Sequence, residues 1–268
     1  MGKVFEKSWL DAQVGTLPIW QQNAYQAFTE MVASDENMYP CVPARQGFLM
    51  NQLRFSFVGD PRKNNSAKEL ADCVREYGEI ARNAGKYTSL AVFFETPEEV
   101  IESYDVEDYR RLFWDTLNNM TAFDDNNWPE DIPIDPTHHT WEFCFDEEPY
   151  FVFCATPAHK RRKSRHFPSL LLAFQPRFVF TEINDSTVFG RKLKTLIRQR
   201  ICDYDGIPGH PDLKWYGQED NHEWKQYFLS DDDRSASKCP FLRMQQASIE
   251  LPLFHFYKGS NSYNNDEG

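Results

Sequence analysis

Long apolar runs are missing from this chain of 268 residues, and with them any stretch that could span a bilayer as a helix. Glycine is sparse, at 12 residues, and none of it is spaced as a phosphate-cradling loop. There is no Gly-x-Ser-x-Gly elbow and no His-Glu-x-x-His helix, so no motif points to a nucleotide enzyme, a serine hydrolase or a zinc protease. The cysteines (Cys41, Cys73, Cys144, Cys154, Cys202, Cys239) never form a Cys-x-x-Cys pair, which argues against a disulfide framework and a closed zinc site. The opening residues MGKVFEKSWLDAQ lack the basic-then-apolar layout of a signal peptide, so the expectation is a cytoplasmic protein with reduced thiols. Positive charge is short as well. With 29 Lys and Arg against 41 Asp and Glu the net charge is −12, and neither nucleic acid nor an anionic membrane is an expected partner.

What the chain does have is rings: 22 Phe, 12 Tyr and 7 Trp. They imply an aromatic core, or a pocket for a flat apolar ligand. It also has one cationic turn. In TPAHKRRKSRHFPSLLLAFQPRFVF (Thr156 to Phe180), Lys160, Arg161, Arg162, Lys163 and Arg165 crowd together between His159 and His166. A turn of this kind is either a solvated face or a site for a carboxylate, a phosphate or a cofactor propionate.

Periodicity predicts helices over 20–33, 66–84 (Ser66 as N-cap), 105–120 and 185–202 (Asp185 as N-cap), with a short one after Pro97. In the 185–202 helix Val188, Phe189, Leu193, Leu196 and Ile197 are expected to face inward, opposite Arg191, Lys192, Lys194 and Arg198. Strands are expected at 53–59, 88–95, 169–174 and 247–256, and TWEFCFDEEPYFVFCAT reads as a hairpin turning at Asp146–Pro149. The irregular order of these elements favours an α+β fold, a mostly antiparallel sheet with helices packed on it. It should form a single domain over 1–256, with 257–268 as a disordered tail.

Among the histidines, His138 and His139 are adjacent and on a strand would point to opposite faces. His210 and His222 read as loop polar groups, and His255 as a residue of the last strand. His159 leaves a strand end stiffened by Pro157, beside three arginines that disfavour its protonation; it is either a neutral imidazole available as a metal ligand or a capping or solvent-facing histidine. Arg45 and Arg54 flank an apolar segment. The loop Asp205–Leu229 gathers carboxylates and rings that could recognise a cation, or could be a surface turn.

Several ordered motifs then resemble the YqcI/YcgG family: Tyr39-Pro40-Cys41, Leu53-Arg54, Thr156-Pro157-Ala158-His159, Ser164-Arg165, Gln175-Pro176-Arg177, HPDLKWYGQEDNHEWKQY and Cys239-Pro240-Phe241. One branch of that family carries His-Pro near the place of Thr156-Pro157. The resemblance implies a haem b protein that hydroxylates a nitrogen of a guanidine- or amine-bearing amino acid, with dioxygen or hydrogen peroxide as oxidant. A separate reductase or hydrogen peroxide is implied, because no flavin or iron–sulfur motif is present. It further implies His159 as the axial iron ligand, with His166 as runner-up. Arg161, Arg162, Arg165 and Arg177, with Arg45 and Arg54, would stand near the cofactor. Glu219, Asp220 or Glu223 would hold the cationic substrate. Two other readings stay open: a haem sensor or carrier without turnover, and a haem-free protein that binds a small anion or a partner.

Overall fold

The computed structural model, which describes residues 3–243 other than Glu182 and Asp185, contains six strands. These are β1 (Phe5–Glu6), β2 (Leu53–Val58), β3 (Ser89–Phe94), β4 (Phe143–Phe145), β5 (Glu148–Ala155) and β6 (Leu171–Pro176). They make one sheet in the order β1-β2-β3-β6-β5-β4. β2 and β3 run parallel and every other neighbouring pair runs antiparallel. The fold is therefore α+β with a mixed sheet. The single parallel pair exists because β2 and β3 are joined by a long helical crossover rather than a hairpin.

The helices are α1 (Lys7–Gln13), α2 (Ile19–Ala33), α3 (Val42–Leu49), α4 (Asn64–Ala84), α5 (Glu98–Ser103), α6 (Val106–Met120), α7 (Val188–Asp205) and α8 (Trp224–Tyr227). α4 is the crossover, and it packs with α6 on one face of the sheet. There Leu90, Val92 and Phe94 of β3, Val152 and Cys154 of β5, and Leu172 and Phe174 of β6 meet Leu70, Val74, Tyr77, Phe113 and Leu117. The alternate residues Phe55, Ala91, Phe93, Ala155 and Leu171 face the opposite way, toward Phe28 and Val32 of α2 and Phe48 of α3. A sheet covered on both faces explains why β3 reads as a continuous apolar run. Each fully buried Phe or Leu in these layers contributes about 1.5–3 kcal/mol relative to exposure.

Local signals hold at most ends. Asp105 and Asp108 close a capping box on α6. Asp146 and Glu147 both take positive φ, 56° and 64°, and close the β4–β5 hairpin in a two-residue turn.

Three expectations change. Ser66 lies inside α4, which begins two residues earlier, and its hydroxyl donates to the Asp60 carbonyl at 2.6 Å. The cap of α7 is Thr187, whose hydroxyl accepts from the Gly190 N–H at 2.9 Å; Asp185 lies outside the described residues. Of the apolar face expected on α7, Leu193 is buried and Ile197 turns toward a chamber, but Val188, Phe189 and Leu196 are exposed. The expected strand at 247–256, His255 and the 257–268 tail lie outside the described residues. Among the described residues no helix is long and apolar enough to cross a membrane.

Candidate functional site

The α2/α7 side of the sheet holds a chamber of about 220 Å³ that opens to solvent. Its floor is the alternate residues of three strands: Ser89 and Ala91 of β3, Leu171, Ala173 and Gln175 of β6, and Phe151 and Phe153 of β5. Small side chains at Ser89, Ala91 and Ala173 leave room where larger ones would reach α2. Phe28, Met31 and Val32 close one side, Ile197 and Ile201 of α7 the other. The walls are mostly apolar, and the charged groups among the lining residues are Arg162, Arg165 and Asp205.

Arg165 stands at that end, 6% exposed. A short 3-10 turn at Lys163–Arg165 aims it inward. Its guanidinium donates to the carbonyls of Tyr227 and Gln226, each at 3.0 Å, and lies 4.4 Å from the centre of the Phe153 ring. Burial pulls its pKa down to about 10, which leaves it charged at neutral pH. Among the described residues no carboxylate lies within ion-pair distance of it. Asp205, at the C-terminus of α7, lines the same space and is held by Ser164, from the backbone N–H at 2.7 Å and the hydroxyl at 2.9 Å. Tyr39 donates to the Ser164 carbonyl at 3.1 Å. Cys41 also lines the chamber, at the N-terminus of α3.

The cationic turn splits on folding. Arg162 is buried and grips the loop 230–233, donating to the Ser230 carbonyl at 3.1 Å, the Pro208 carbonyl at 3.1 Å and Asp233 at 2.6 Å. Arg161 is exposed, and the backbone N–H groups of Lys160, Arg161 and Arg162 converge on the carboxylate of Asp231. The turn is thus stapled to a later loop, which a charge count cannot reveal.

His159 is 1% exposed, with both ring nitrogens in use. Nε2–H donates to the Leu229 carbonyl at 2.9 Å, so Nδ1 accepts from the Thr156 hydroxyl at 2.8 Å. Burial, opposed by the Leu229 bond, lowers its pKa to about 4, so it stays neutral. His166 is exposed, and its Nδ1–H donates to the His159 carbonyl at 2.9 Å. Neither histidine lines the chamber.

Arg177 lies elsewhere, between the buried carboxylates of Glu142 (2.5 Å) and Glu223 (2.6 Å), stacked 3.7 Å over Tyr216. Burial, added to the nearby Glu142 charge, holds the Glu223 carboxyl above the usual range against the pull of Arg177. Glu219 and Asp220 are exposed, Asp220 pairing with Lys214. Arg45 pairs with Asp35, and Arg54 donates to the Asn51 and Leu53 carbonyls. The site residues named from the sequence therefore fall into separate places, and of these arginines and acids only Arg162 and Arg165 line the chamber. His138 and His139 sit in a turn with stacked rings 4.6 Å apart, not on a strand. Among the described residues no group of three His, Cys, Asp or Glu could hold a metal ion.

Sequence reasoning gave no site role to Cys41, named only within a motif, or to Asp205, named only as the start of a carboxylate-rich loop, and it missed Glu142. The only signal for the first was its place beside Tyr39-Pro40, where the chain enters a helix.

The model of the YqcI/YcgG family matches residues 28–242. The chain belongs to that family. It is 52% identical over 238 residues to "Uncharacterized protein YcgG" of Bacillus subtilis (strain 168), covering 89% of this chain and 94% of that one. It is 51% identical over 245 residues to "Uncharacterized protein YqcI" of the same organism, covering 91% and 96%. A more distant relative, 30% identical over 229 residues (83% and 84%), is the Streptomyces lavendulae protein named "Putative N(omega)-hydroxy-L-arginine synthase DcsA". No solved structure matches the chain.

Proposed function

We propose that this YqcI/YcgG protein is a haem-dependent oxygenase that hydroxylates a nitrogen of an arginine-like amino acid. The observation that carries the reading is the chamber, a mostly apolar space of about 220 Å³ with a buried guanidinium at one end that has no carboxylate within ion-pair distance among the described residues. Apolar walls suit the faces of a porphyrin, and Arg165 suits one of its carboxylates. The name of the distant relative supports arginine as the substrate type.

The fit is uneven. Phe28, Val32, Phe151 and Phe153 would bury the ring and Arg165 would offset its charge. His159, with both nitrogens engaged and outside the chamber, does not fit as the iron ligand in this fold. When bound, haem would supply the activation of dioxygen or peroxide that no side chain can perform.

The chain's own part is to bind, orient and exclude water. Asp205 is the one carboxylate among the lining residues, so it is the group best placed to hold a cationic guanidinium. In the overall reaction one N–H becomes N–OH. With dioxygen, the second oxygen atom leaves as water, taking two electrons and two protons from a separate reductase; with hydrogen peroxide, no reductant is needed.

The test is an absorption spectrum of protein from cells fed a haem precursor, followed by L-arginine turnover with a reductant or peroxide. A stoichiometric Soret band that shifts with L-arginine, and a product heavier by one oxygen atom, are expected. A colourless, folded protein that ignores hemin would overturn the reading.

A further inference from the structure

We infer that the outward face of α7 is the docking surface for a small acidic electron-carrier protein, one that holds a flavin or an iron–sulfur cluster. The inference rests on the dioxygen form of the haem reading above, and it gives that reading its partner and its point of entry.

Two stripes of side chains run along α7. Leu193, Ile197, Ile201 and Asp205 recur every four residues; Leu193 is buried and the other three line the chamber. Val188, Lys192, Leu196 and Arg200 form the next stripe, with Phe189 beside it. Val188 is 60% exposed, Phe189 49% and Leu196 44%, and Lys192 is exposed between them. Apolar side chains grouped on one open helix face, with cations around them, match the apolar centre and polar rim of a protein interface.

Charge selects the partner. Between Val188 and Asp205 the helix carries Arg191, Lys192, Lys194, Arg198 and Arg200, against Asp203 and the buried Asp205. Arg198 donates to the neutral Leu213 carbonyl at 2.7 Å, and Asp203 accepts from Gln199 at 2.9 Å. Among the described residues no carboxylate lies within ion-pair distance of Lys192, Arg198 or Arg200. The chain as a whole carries −12, so an acidic protein is repelled by most of the surface and attracted here, which orients the encounter. Nucleic acid or an anionic membrane would present its extended charge to the acidic remainder as well.

Position supplies the purpose. Ile197 and Ile201 line the chamber while Leu196 is exposed, so a protein seated on this face is separated from the chamber by one helix, about 10–12 Å across with its side chains. A path that short suits electron transfer, for which small, weak interfaces are usual. Each docked carrier gives up one electron and is itself oxidised. Two such deliveries, with two protons and one dioxygen, turn one N–H into N–OH and release one water.

The experiment uses the hemin-loaded protein and L-arginine. Electrons come from a plant-type ferredoxin or a flavodoxin, each kept reduced by NADPH and its reductase; hydrogen peroxide alone serves as the second route. Wild type is compared with K192E, K192E/R200E and K68E, the last a control on α4 across the sheet. At least one carrier should drive turnover in wild type and K68E. K192E/R200E should lower the carrier-driven kcat/KM at least roughly tenfold, with K192E between the two. Added salt should narrow the gap, since exposed charges more than about 10 Å apart are screened at 0.1 M. Peroxide-driven turnover, the hemin spectrum and the melting temperature should not move. Carrier-driven turnover that is equal in K192E/R200E and wild type overturns the docking face, as do losses that extend to the peroxide reaction, or peroxide turnover with neither carrier active. Cosedimentation with anionic vesicles that K192E/R200E loses would give the face to a membrane instead. All of these leave the haem reading standing. Failure to bind hemin, or no turnover by either route, overturns both.

Discussion

The Nε2 of His159 lies 2.9 Å from the carbonyl oxygen of Leu229, a residue 70 positions later in the chain. That one bond, with Arg162 gripping the carbonyls of Ser230 and Asp232, docks the 228–233 segment against the end of β5. A histidine placed to ligate a metal keeps a lone pair free. This one spends both nitrogens on protein partners, so its work is structural.

His159→Ala should accordingly cost about 2–4 kcal/mol, from the cavity and the Thr156 hydroxyl and Leu229 carbonyl left without partners. Urea unfolding should show it as a lower midpoint at unchanged slope. The same group makes stability depend on pH. Its folded value of about 4 lies below the ordinary 6.5, so between these the unfolded chain binds the extra proton. Its contribution is fully present above pH 6.5, is lost as pH falls toward 4, and is absent below. In His159→Gln that part of the pH dependence should vanish. If the two proteins track each other from pH 7 to 4, the imidazole is not the buried neutral group described.

Much of this fold was legible in the sequence and much of the site was not, for one physical reason. Helix α6 and the β4–β5 hairpin are set by residues close in sequence: the Asp105–Asp108 box, and the alternation around Asp146–Glu147. Short-range rules find such features. The chamber is built from Phe28, Cys41, Ala91, Ala173, Arg165 and Ile201, which no local pattern connects. The density of charge in 160–165 drew attention to the right turn, but could not separate Arg165, which lines the chamber, from Arg161, which is exposed. Alternation also failed to show that Ala91 and Ala173 are small because they floor an open space.

Ala173→Phe tests that floor. The ring would enter the chamber, not the packed face where Leu172 and Phe174 sit, so the fold should survive with a melting temperature within a few degrees. Hemin binding should fall by at least tenfold, since the added ring takes the volume a ligand needs. Undiminished binding would place the ligand site elsewhere.

Glu223 gives a prediction of opposite sign to His159. Its folded pKa is raised, so its contribution to stability is full below the ordinary carboxylate value of 4.5 and is lost as pH rises through the folded value. Glu223→Gln removes that loss and keeps the side-chain oxygen that accepts from Tyr227 at 3.0 Å. Arg177 retains Glu142. Stability should therefore hold within about 1 kcal/mol at neutral pH and depend less on pH between 5 and 8, whereas Glu223→Ala should be clearly destabilised. Equal losses for Gln and Ala would show that the charge, not the shape, of Glu223 matters.

Arg165 carries the last prediction, because two roles meet in it and can be separated. Its guanidinium spans the carbonyls of Gln226 and Tyr227 and lies over the Phe153 ring, which an ammonium cannot reproduce. Arg165→Lys keeps the charge and loses the span, so it should cost about 1–3 kcal/mol in stability. Arg165→Met removes the charge as well. If Arg165 serves only to hold the α8 backbone, both variants lose stability and neither changes ligand binding beyond that. If it also balances an anion in the chamber, hemin affinity should drop at least tenfold more in Met than in Lys, measured at a temperature where both are folded. The comparison works because no carboxylate among the described residues lies within ion-pair distance of Arg165 and Asp205 acts on it only from further off, so a bound anion would add a contact that the free protein lacks.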